Sequence, residues 1–335
     1  MEKNVKSVAG IDVSKKTFDI AVGANTPGAS ITKACFANNL QGYQDLENWL
    51  KDQGLTLGEM LFCLENTGLY HRLLSAFLVH RKALVWVETP VQIKWSMGIQ
   101  RGKSDTVDSE RIYTYAVRNQ DKMKTYEQRD ETIQQIADYM ALRERLQQCI
   151  KTLSVPIREL KSAGLTPAAK ASEKASKKSI DTMKKELEKL DKKIRKLIES
   201  EPALAEKYKY ATSVKCVGFV AATYLLVYTN GFTRFDSAKQ LASYSGIAPF
   251  EYSSGTSIRG RTKVHPMANK TLKTALHMCA VSSVRHNPEM VAYFQRKVAE
   301  GKNKMLVLNA IRNKVLQRVF ACVRDRREYE LNMAA

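Results

Sequence analysis

Residues 5–22 read VKSVAGIDVSKKTFDIAV, and this stretch decides the fold of the N-terminal part of the chain. The apolar run at residues 8–11 predicts a buried strand, and Phe18, Ile20 and Val22 alternate with other residues as in a second strand. The pattern then continues with strands predicted at 31–36, 60–64 and 83–87, and helices at 40–50, 68–79 and from Pro90 onwards. Three meandering strands followed by alternating helices and strands predict an α/β layer domain.

Length and charge set the broad class of the protein. The chain has 335 residues, which favours two domains. It carries 54 Lys and Arg against 34 Asp and Glu, a formal net charge of +20. Such an excess indicates a polyanionic partner, with nucleic acid the first choice and an anionic membrane surface the second.

Cysteine usage and the N-terminus predict the compartment. The six cysteines lie far apart with no CxxC pair, which argues against a zinc ribbon and a disulfide framework. The first residues lack the apolar core of a signal peptide, and no apolar run is long enough to cross a bilayer. We therefore expect a soluble, cytoplasmic protein.

Four acidic residues are candidates for one metal site. Asp12 and Glu65 each stand at the end of a predicted strand, and Asp105 and Asp108 share one face of a helix predicted at 104–118. Carboxylates that converge repel each other unless a cation neutralises them, and ligands that are all oxygen suit Mg²⁺ or Mn²⁺. Any one of these acids also fits a solvated charge or a helix cap, so only the set is informative.

The stretch 246–265, GIAPFEYSSGTSIRGRTKVH, is the second candidate for chemistry. Ser254 precedes a glycine, where a large substrate can come close to the backbone. Arg259, Arg261 and Lys263 follow at every second position and suit a phosphodiester. A polar turn is the alternative interpretation, because Ser, Gly and Pro are ordinary loop residues.

The middle of the chain has a different character. Apolar residues predict a helix over 131–153, and the Lys-, Ala- and Ser-rich stretch 161–179 indicates an exposed turn or mobile basic link. Residues 180–197 carry a heptad seam that fits either an antiparallel helical hairpin or a dimer. Farther on, residues 214–228 fit a helix-hairpin-helix lead-in or a buried core helix. His277 is interpreted as a packing residue and His265 as a weak candidate for a phosphate contact.

Four motifs together resemble one known family. They are AGIDVSK at 9–15, LENTG at 64–68, KSDTVDSERI at 103–112 and SGIAPFEYSSGTSIRGR at 245–261. In this order they resemble the insertion-sequence family 110/1111 transposases, recombinases of bacterial mobile elements. The resemblance runs over nearly the whole chain.

We expect a three-part organisation. The resemblance implies a ribonuclease-H or resolvase-like α/β domain at 1–125 and a mostly α-helical transposase domain with the serine at 206–335, and the helical patterns between them predict a helical hairpin or coiled-coil linker at 126–205. The acidic set of the family, which binds Mg²⁺ or Mn²⁺, falls on Asp12, Glu65, Asp105 and Asp108.

The nucleophilic serine of the family falls on Ser254. Ser253, which stands where some relatives have an acid, is the fallback nucleophile. A second departure from the family pattern is Asn66, which stands where many relatives have a small residue. Lys103, Arg259, Arg261 and Lys263 are the expected nucleic-acid contacts.

The expected function is DNA strand exchange through a covalent phosphoserine. The family implies a bridge RNA that pairs with donor and target DNA, and exchange between two duplexes implies a homo-oligomer, associated with the bacterial nucleoid. A composite site would form within one chain or between chains. The rival interpretations are a metal-dependent nuclease that uses water and a nucleic-acid-binding scaffold without chemistry.

Overall fold

The computed structural model describes residues 5–96, 105–254, 258–264 and 267–330, and at 105–107, 250–254 and 258–263 it gives the course of the backbone alone. The chain forms two compact units, residues 1–128 and 129–335. The helical middle of the chain lies within the second unit. The division into three functional segments stays a prediction.

The first unit is a mixed α/β domain. In chain order its elements are β1 (Ser7–Val13), β2 (Thr17–Ala24), β3 (Ile31–Ala37), α1 (Leu40–Asp52), β4 (Met60–Glu65), α2 (Arg72–His80), β5 (Leu84–Glu88), α3 (Pro90–Ser96) and α4 (Asp105–Arg118). The five strands form one sheet in the order β3-β2-β1-β4-β5. β1 pairs antiparallel with β2 and parallel with β4, so the predicted meander followed by alternating helices and strands is confirmed.

Helices cover both faces of this sheet because the strand residues alternate between two apolar clusters. On one face Ile11, Phe18 and Phe62 pack against α1 and α2. On the other face Val8, Cys63 and Trp86 pack against α4. A strand that is buried on both faces has a continuous apolar run, which is what the sequence has at residues 8–11.

The α4 backbone lies directly on Gly10 of β1. A Cβ atom added at Gly10 would sit 2.1 Å from the Tyr113 backbone nitrogen and 2.4 Å from the Ser109 carbonyl oxygen. The Tyr113 hydroxyl donates to the Ala24 carbonyl oxygen at 2.6 Å, at the edge of the sheet where β1 begins. α4 therefore runs against the direction of β1, and its first turn lies at the edge where β1 ends.

The second unit is helical apart from one hairpin. Its elements are α5 (Glu131–Ser162), α6 (Thr166–Ser200), α7 (Pro202–Ser213), α8 (Phe219–Tyr228), α9 (Ala238–Tyr244), β6 (Phe250–Ser254), β7 (Ile258–Lys263), α10 (Lys270–His286), α11 (Pro288–Ala299) and α12 (Lys304–Arg324). One apolar cluster joins the base of α5 and α6 to α8, α10 and α12. The apolar segment at 214–228 is thus a core helix for most of its length, with Gly218 as its N-cap.

α5 and α6 form an antiparallel hairpin. The heptad seam supplies its contacts: Ile180, Leu190 and Ile194 are buried. Arg143 donates to Asp191 at 2.7 Å near the base, and Lys161 pairs with Glu173 at 2.8 Å near the tip. The seam residues of α6 thus pack within one chain, as the hairpin alternative predicts. That the hairpin is a coiled coil, and that the chain forms a dimer, stay predictions.

The interpretation of residues 161–179 as a mobile link is wrong. The chain turns at 163–165 and α6 already begins at Thr166. Alanine and lysine are strong helix formers, and Pro167 lies in the first turn of α6, where its missing N–H costs nothing. α5 likewise continues through Pro156 to Ser162, nine residues beyond the predicted end.

The structure describes the state of the cysteines and the apolar character of the helices. All six cysteines are free thiols. Burial raises the pKa of Cys279 to about 11 and raises that of Cys63 as well, so both stay neutral and pack as small apolar groups. Along the described helices, none combines the length and apolar character that crossing a bilayer needs.

Gly10→Ala should destabilise the first unit. The added methyl group would overlap the α4 backbone, which cannot rotate away as a side chain could. We expect a decrease of about 1–3 kcal/mol in the free energy of unfolding, as for other overpacked core positions. Urea denaturation followed by circular dichroism measures it. Gly58→Ala is the control, because the nearest atom to its added Cβ lies 3.8 Å away; equal decreases in both variants would contradict the close packing of α4.

Candidate active site

Asp12 and Glu65 lie side by side at one edge of the sheet. Asp12 is in β1 and Glu65 ends β4, which runs parallel to it. Ile11 pairs with Leu64, so the next residue of each strand is at the same level. Neighbouring strands are about 4.8 Å apart, so the backbones of the two acids are adjacent. Asp12 and Glu65 are both half-buried. The structure therefore brings together two of the four predicted acids.

Two further acids, absent from the sequence prediction, extend this pair into a row. Asp19 of β2 is the cross-strand partner of Asp12, and Glu88 of β5 is the partner of Glu65. Residues two apart in a strand share a face of the sheet. Each acid is two residues from a strand residue that faces α4: in the order Asp19, Asp12, Glu65 and Glu88, these residues are Ala21, Gly10, Cys63 and Trp86. The acid row, defined as Asp19, Asp12, Glu65 and Glu88, thus lies on the α4 face of the sheet.

α4 brings the other two predicted acids to the same edge. Asp105 precedes Ser109 by four residues, about 6 Å along a helix, and Asp12 follows Gly10 by two residues, about 6.6 Å along a strand. Since Ser109 lies over Gly10, the backbone of Asp105 is level with Asp12. The side chain of Asp105 lies outside the described part.

Asp108 is engaged locally. Its carboxylate accepts a hydrogen bond from Arg111, one helical turn later, at 2.7 Å. Among the side chains that the structure describes, no group of three or more His, Cys, Asp or Glu residues could hold a metal ion. The side chain of Asp105 is not among them.

Glu88 ties the sheet edge to α4. It accepts hydrogen bonds from the Tyr115 hydroxyl at 3.2 Å and from the Thr89 backbone at 2.7 Å. Burial, and then the charge of Glu88, raise the pKa of Tyr115 and of Cys63. Tyr115 therefore stays a neutral donor, as a carboxylate acceptor requires. β4 and β5 both are apolar strands that end in Glu, and this shared pattern could have identified Glu88 from the sequence.

The other candidate residues lie on a β-hairpin that the sequence analysis did not predict. β6 and β7 form this serine hairpin, which pairs antiparallel with Ser253 opposite Arg259 and Ser254 opposite Ile258. Ser254 is the last residue of β6. Arg259, Arg261 and Lys263 lie in β7, and the side chains of both serines and all three cations are outside the described part.

The base of the serine hairpin is anchored on the helical core. Gly246 has a φ of +66°, and a Cβ there would lie 2.5 Å from the Ala268 Cβ atom. The Asn309 amide of α12 donates to the Ile247 carbonyl oxygen at 2.8 Å, just before β6. The Asn269 backbone donates to the Tyr244 carbonyl oxygen at 2.8 Å, just after β7. The residues that flank the hairpin are therefore held against the helical core.

Three smaller predictions have mixed outcomes. His277 is interpreted as a packing residue, and its ring accepts a hydrogen bond from the buried Arg312 at 2.7 Å; burial and then Arg312 lower the pKa of His277, so it stays neutral. Asn66 closes the turn after β4 by accepting from the Gly68 backbone at 3.2 Å. Lys103 and His265 lie outside the described residues.

Positive charge is concentrated in the second unit. Residues 1–128 contain 16 Lys or Arg and 14 Asp or Glu, whereas residues 129–335 contain 38 and 20. The unit that carries the acid row is therefore close to neutral. A polyanion attracted by charge is held mainly by the helical unit.

Comparisons with protein families match two parts of the chain. Residues 9–160 match a transposase model named DEDD_Tnp_IS110, and residues 208–295 match a model described as the transposase IS116/IS110/IS902 family. The first match contains the acid row and α4, and the second contains the serine hairpin.

Individual proteins are also similar to this chain. The pilin gene-inverting protein of Moraxella bovis is 27% identical over 329 residues, which cover 97% of this chain and 98% of that protein. An uncharacterised 43.6 kDa protein of the insertion element IS110 from Streptomyces coelicolor is 36% identical over 124 residues, 37% of this chain and 30% of its own. Thermus thermophilus RuvC in complex with a Holliday junction substrate aligns with a TM-score of 0.26 and 14% identity, over 36% of this chain and 99% of RuvC.

Tyr115→Phe tests the tie between α4 and the sheet edge. Removing the hydroxyl removes a donor to Glu88, and we expect the free energy of unfolding to fall by about 1 kcal/mol. Urea denaturation measures the change. Tyr70→Phe in the same unit is the matched control, because the Tyr70 ring is exposed. A Tyr115→Phe protein as stable as the control would mean that the hydrogen bond contributes nothing.

Proposed function

The chain belongs to the IS116/IS110/IS902 family of transposases and is a DNA recombinase, and from this premise we propose that it exchanges DNA strands through a phosphoserine intermediate on Ser254. The observation that carries the proposal is the position of Ser254 at the end of β6. The residues that flank the hairpin are held by the helical core, and we propose that the far end of the hairpin meets the DNA backbone.

The cationic residues of β7 support a phosphodiester as the substrate of this hairpin. Arg259 is the cross-strand partner of Ser253, and Arg261 and Lys263 follow in the same strand. Cations in the strand next to β6 would bind the non-bridging oxygens of a phosphodiester and offset the negative charge that builds up on them. Ser254 directly precedes Gly255, so we propose Ser254 as the nucleophile and Ser253 as the fallback.

The proposed reaction conserves phosphoester bonds. The Ser254 Oγ loses its proton and attacks phosphorus, one P–O bond of the DNA backbone breaks, and the leaving 3′ oxygen takes up a proton. A 3′ hydroxyl of the partner strand then attacks the phosphoserine, which restores a DNA phosphodiester and the free serine. Because each step exchanges one phosphoester for another, no nucleotide cofactor is consumed.

The acidic residues fit a divalent metal by the chemistry of their donors. Asp12 and Glu65 are adjacent at the sheet edge, and the α4 backbone brings Asp105 level with them. We propose that these three hold Mg²⁺ or Mn²⁺, with Asp108 as a ligand once it is released from Arg111. When bound, such an ion polarises phosphate oxygens. Asp19 and Glu88 add negative charge beside the set and would strengthen its attraction for a cation.

The remaining family features are proposals about assembly. We propose that a bridge RNA pairs with donor and target DNA and that Lys103 is one of the nucleic-acid contacts. We also propose that the protein forms a homo-oligomer, which provides several active sites, and that it associates with the nucleoid. The ribonuclease-H-like assignment of the first unit is supported by its mixed five-stranded sheet with helices on both faces.

A covalent protein–DNA adduct is the first test. We expect a gel-stable adduct on element-end DNA in the presence of Mg²⁺, its disappearance in Ser254→Ala and its retention in Ser253→Ala. Denaturing electrophoresis and mass spectrometry of the adduct peptide measure it. Cleavage without an adduct, undiminished in Ser254→Ala, would instead support a nuclease that uses water. Binding without cleavage in the wild type would support a scaffold.

Metal binding by the first unit's acids is the second test. We expect Asp12→Asn and Glu65→Gln each to weaken Mn²⁺ binding at least about tenfold, since each removes a charged ligand. Titration of the full chain followed by electron paramagnetic resonance measures it without any reaction. Asp52→Asn, an exposed acid at the end of α1, is the matched control. Equal affinities in all three variants would contradict the proposed site.

A further inference from the structure

The outer half of the α5–α6 hairpin carries an excess of positive charge, whereas the base of the hairpin has no net charge. We define the outer half as residues 151–185, which contain nine Lys or Arg against three Asp or Glu. The base, residues 131–150 and 186–200, contains seven of each. Helix packing does not require this asymmetry, since both halves use the same kind of seam.

The outer half also lies outside the apolar core of its unit. Ile133, Met140 and Leu190 at the base belong to the cluster shared with α8, α10 and α12. Ile157, Ala169 and Ile180 are buried but do not belong to that cluster. The outer half is therefore a two-helix arm, stabilised mainly by its own seam.

Lysines form a stripe along the exposed side of this arm. Lys170, Lys174, Lys177 and Lys184 follow one another at helical spacing over about 21 Å of α6, with Lys178 and Lys185 beside them. All six are exposed. Two acids lie at the stripe: Asp181, and Glu173, which pairs with Lys161 near the tip of the arm and also interacts electrostatically with Lys177.

We propose that this lysine stripe binds the phosphate backbone of a nucleic-acid duplex. A duplex presents about one negative charge per 1.7 Å of its axis, so it can meet every cation of a straight stripe. A flexible lysine is a point charge that suits a phosphate without reading the bases, so the arm holds nucleic acid independently of sequence. The apolar residues Ile157, Ala169 and Ile180 of the arm are buried between the two helices, so they are not available to a lipid surface.

This inference deepens the proposed function, because it names a surface for the nucleic acid outside both candidate sites. Its test needs only binding. A failure of the serine chemistry would show in the adduct assay and would leave the binding measurement intact.

Two lysine sets on the same helix provide a matched pair of variants. One variant changes Lys170, Lys174, Lys177 and Lys184 to Gln, and the control changes Lys189, Lys192, Lys193 and Lys196 to Gln. Both sets are exposed, and each variant removes four charges. Glutamine and lysine have similar helix propensities, so equal thermal unfolding is expected.

The measurement is the salt dependence of binding to a 30-base-pair duplex of random sequence, made once as DNA and once as RNA. Fluorescence anisotropy between 50 and 200 mM KCl gives the slope of log K against log[salt]. We expect the outer-half variant to lower the magnitude of the slope by about 0.9 for each phosphate that the arm no longer neutralises, up to about 3.6 in total, and the control to change it by less than about 0.9.

Each outcome decides the proposal. A slope lowered by the outer-half variant alone supports it, and the duplex on which this occurs identifies DNA, RNA or their shared backbone as the partner. Equal effects of the two variants would mean a general charge effect and would overturn it, as would unchanged slopes. A change in sedimentation mass with an unchanged slope would overturn it in favour of contacts between copies of the chain.

Discussion

The contact between the α4 backbone and Gly10 is the constraint on which the candidate metal site depends. Because Gly10 has no side chain, Ser109 and Tyr113 reach the sheet directly, and the first turn of α4 comes level with the end of β1. A larger residue would lift the helix by the width of a methyl group or more. Asp105 would then move away from Asp12, although both would remain in place along the chain.

The sheet register aligns four acidic residues at one edge of the sheet. Asp19, Asp12, Glu65 and Glu88 occupy one level of four adjacent strands, about 4.8 Å apart. Like charges at that distance repel each other when half-buried. Tyr115 offsets part of this repulsion by donating a hydrogen bond to Glu88, and Asp12, Asp19 and Glu65 each have interactions of their own.

The two units differ in charge. The first unit is nearly neutral and carries the acid row on strands. The second unit carries nearly all the excess positive charge, part of it in the sequence of the serine hairpin and part in the exposed lysine stripe. The acid row and most of the excess positive charge thus belong to different units of the chain.

The sequence by itself determined the five strands of the first unit, the candidate acids Asp12, Glu65, Asp105 and Asp108, the heptad seam and the net charge, because alternation and composition are local properties. Only the tertiary structure decided which acids share a level, that Asp19 and Glu88 join them, and that Ser254 ends a strand. Register and close approach depend on contacts between residues distant in the chain, such as Gly10 with Tyr113, and no local pattern contains them.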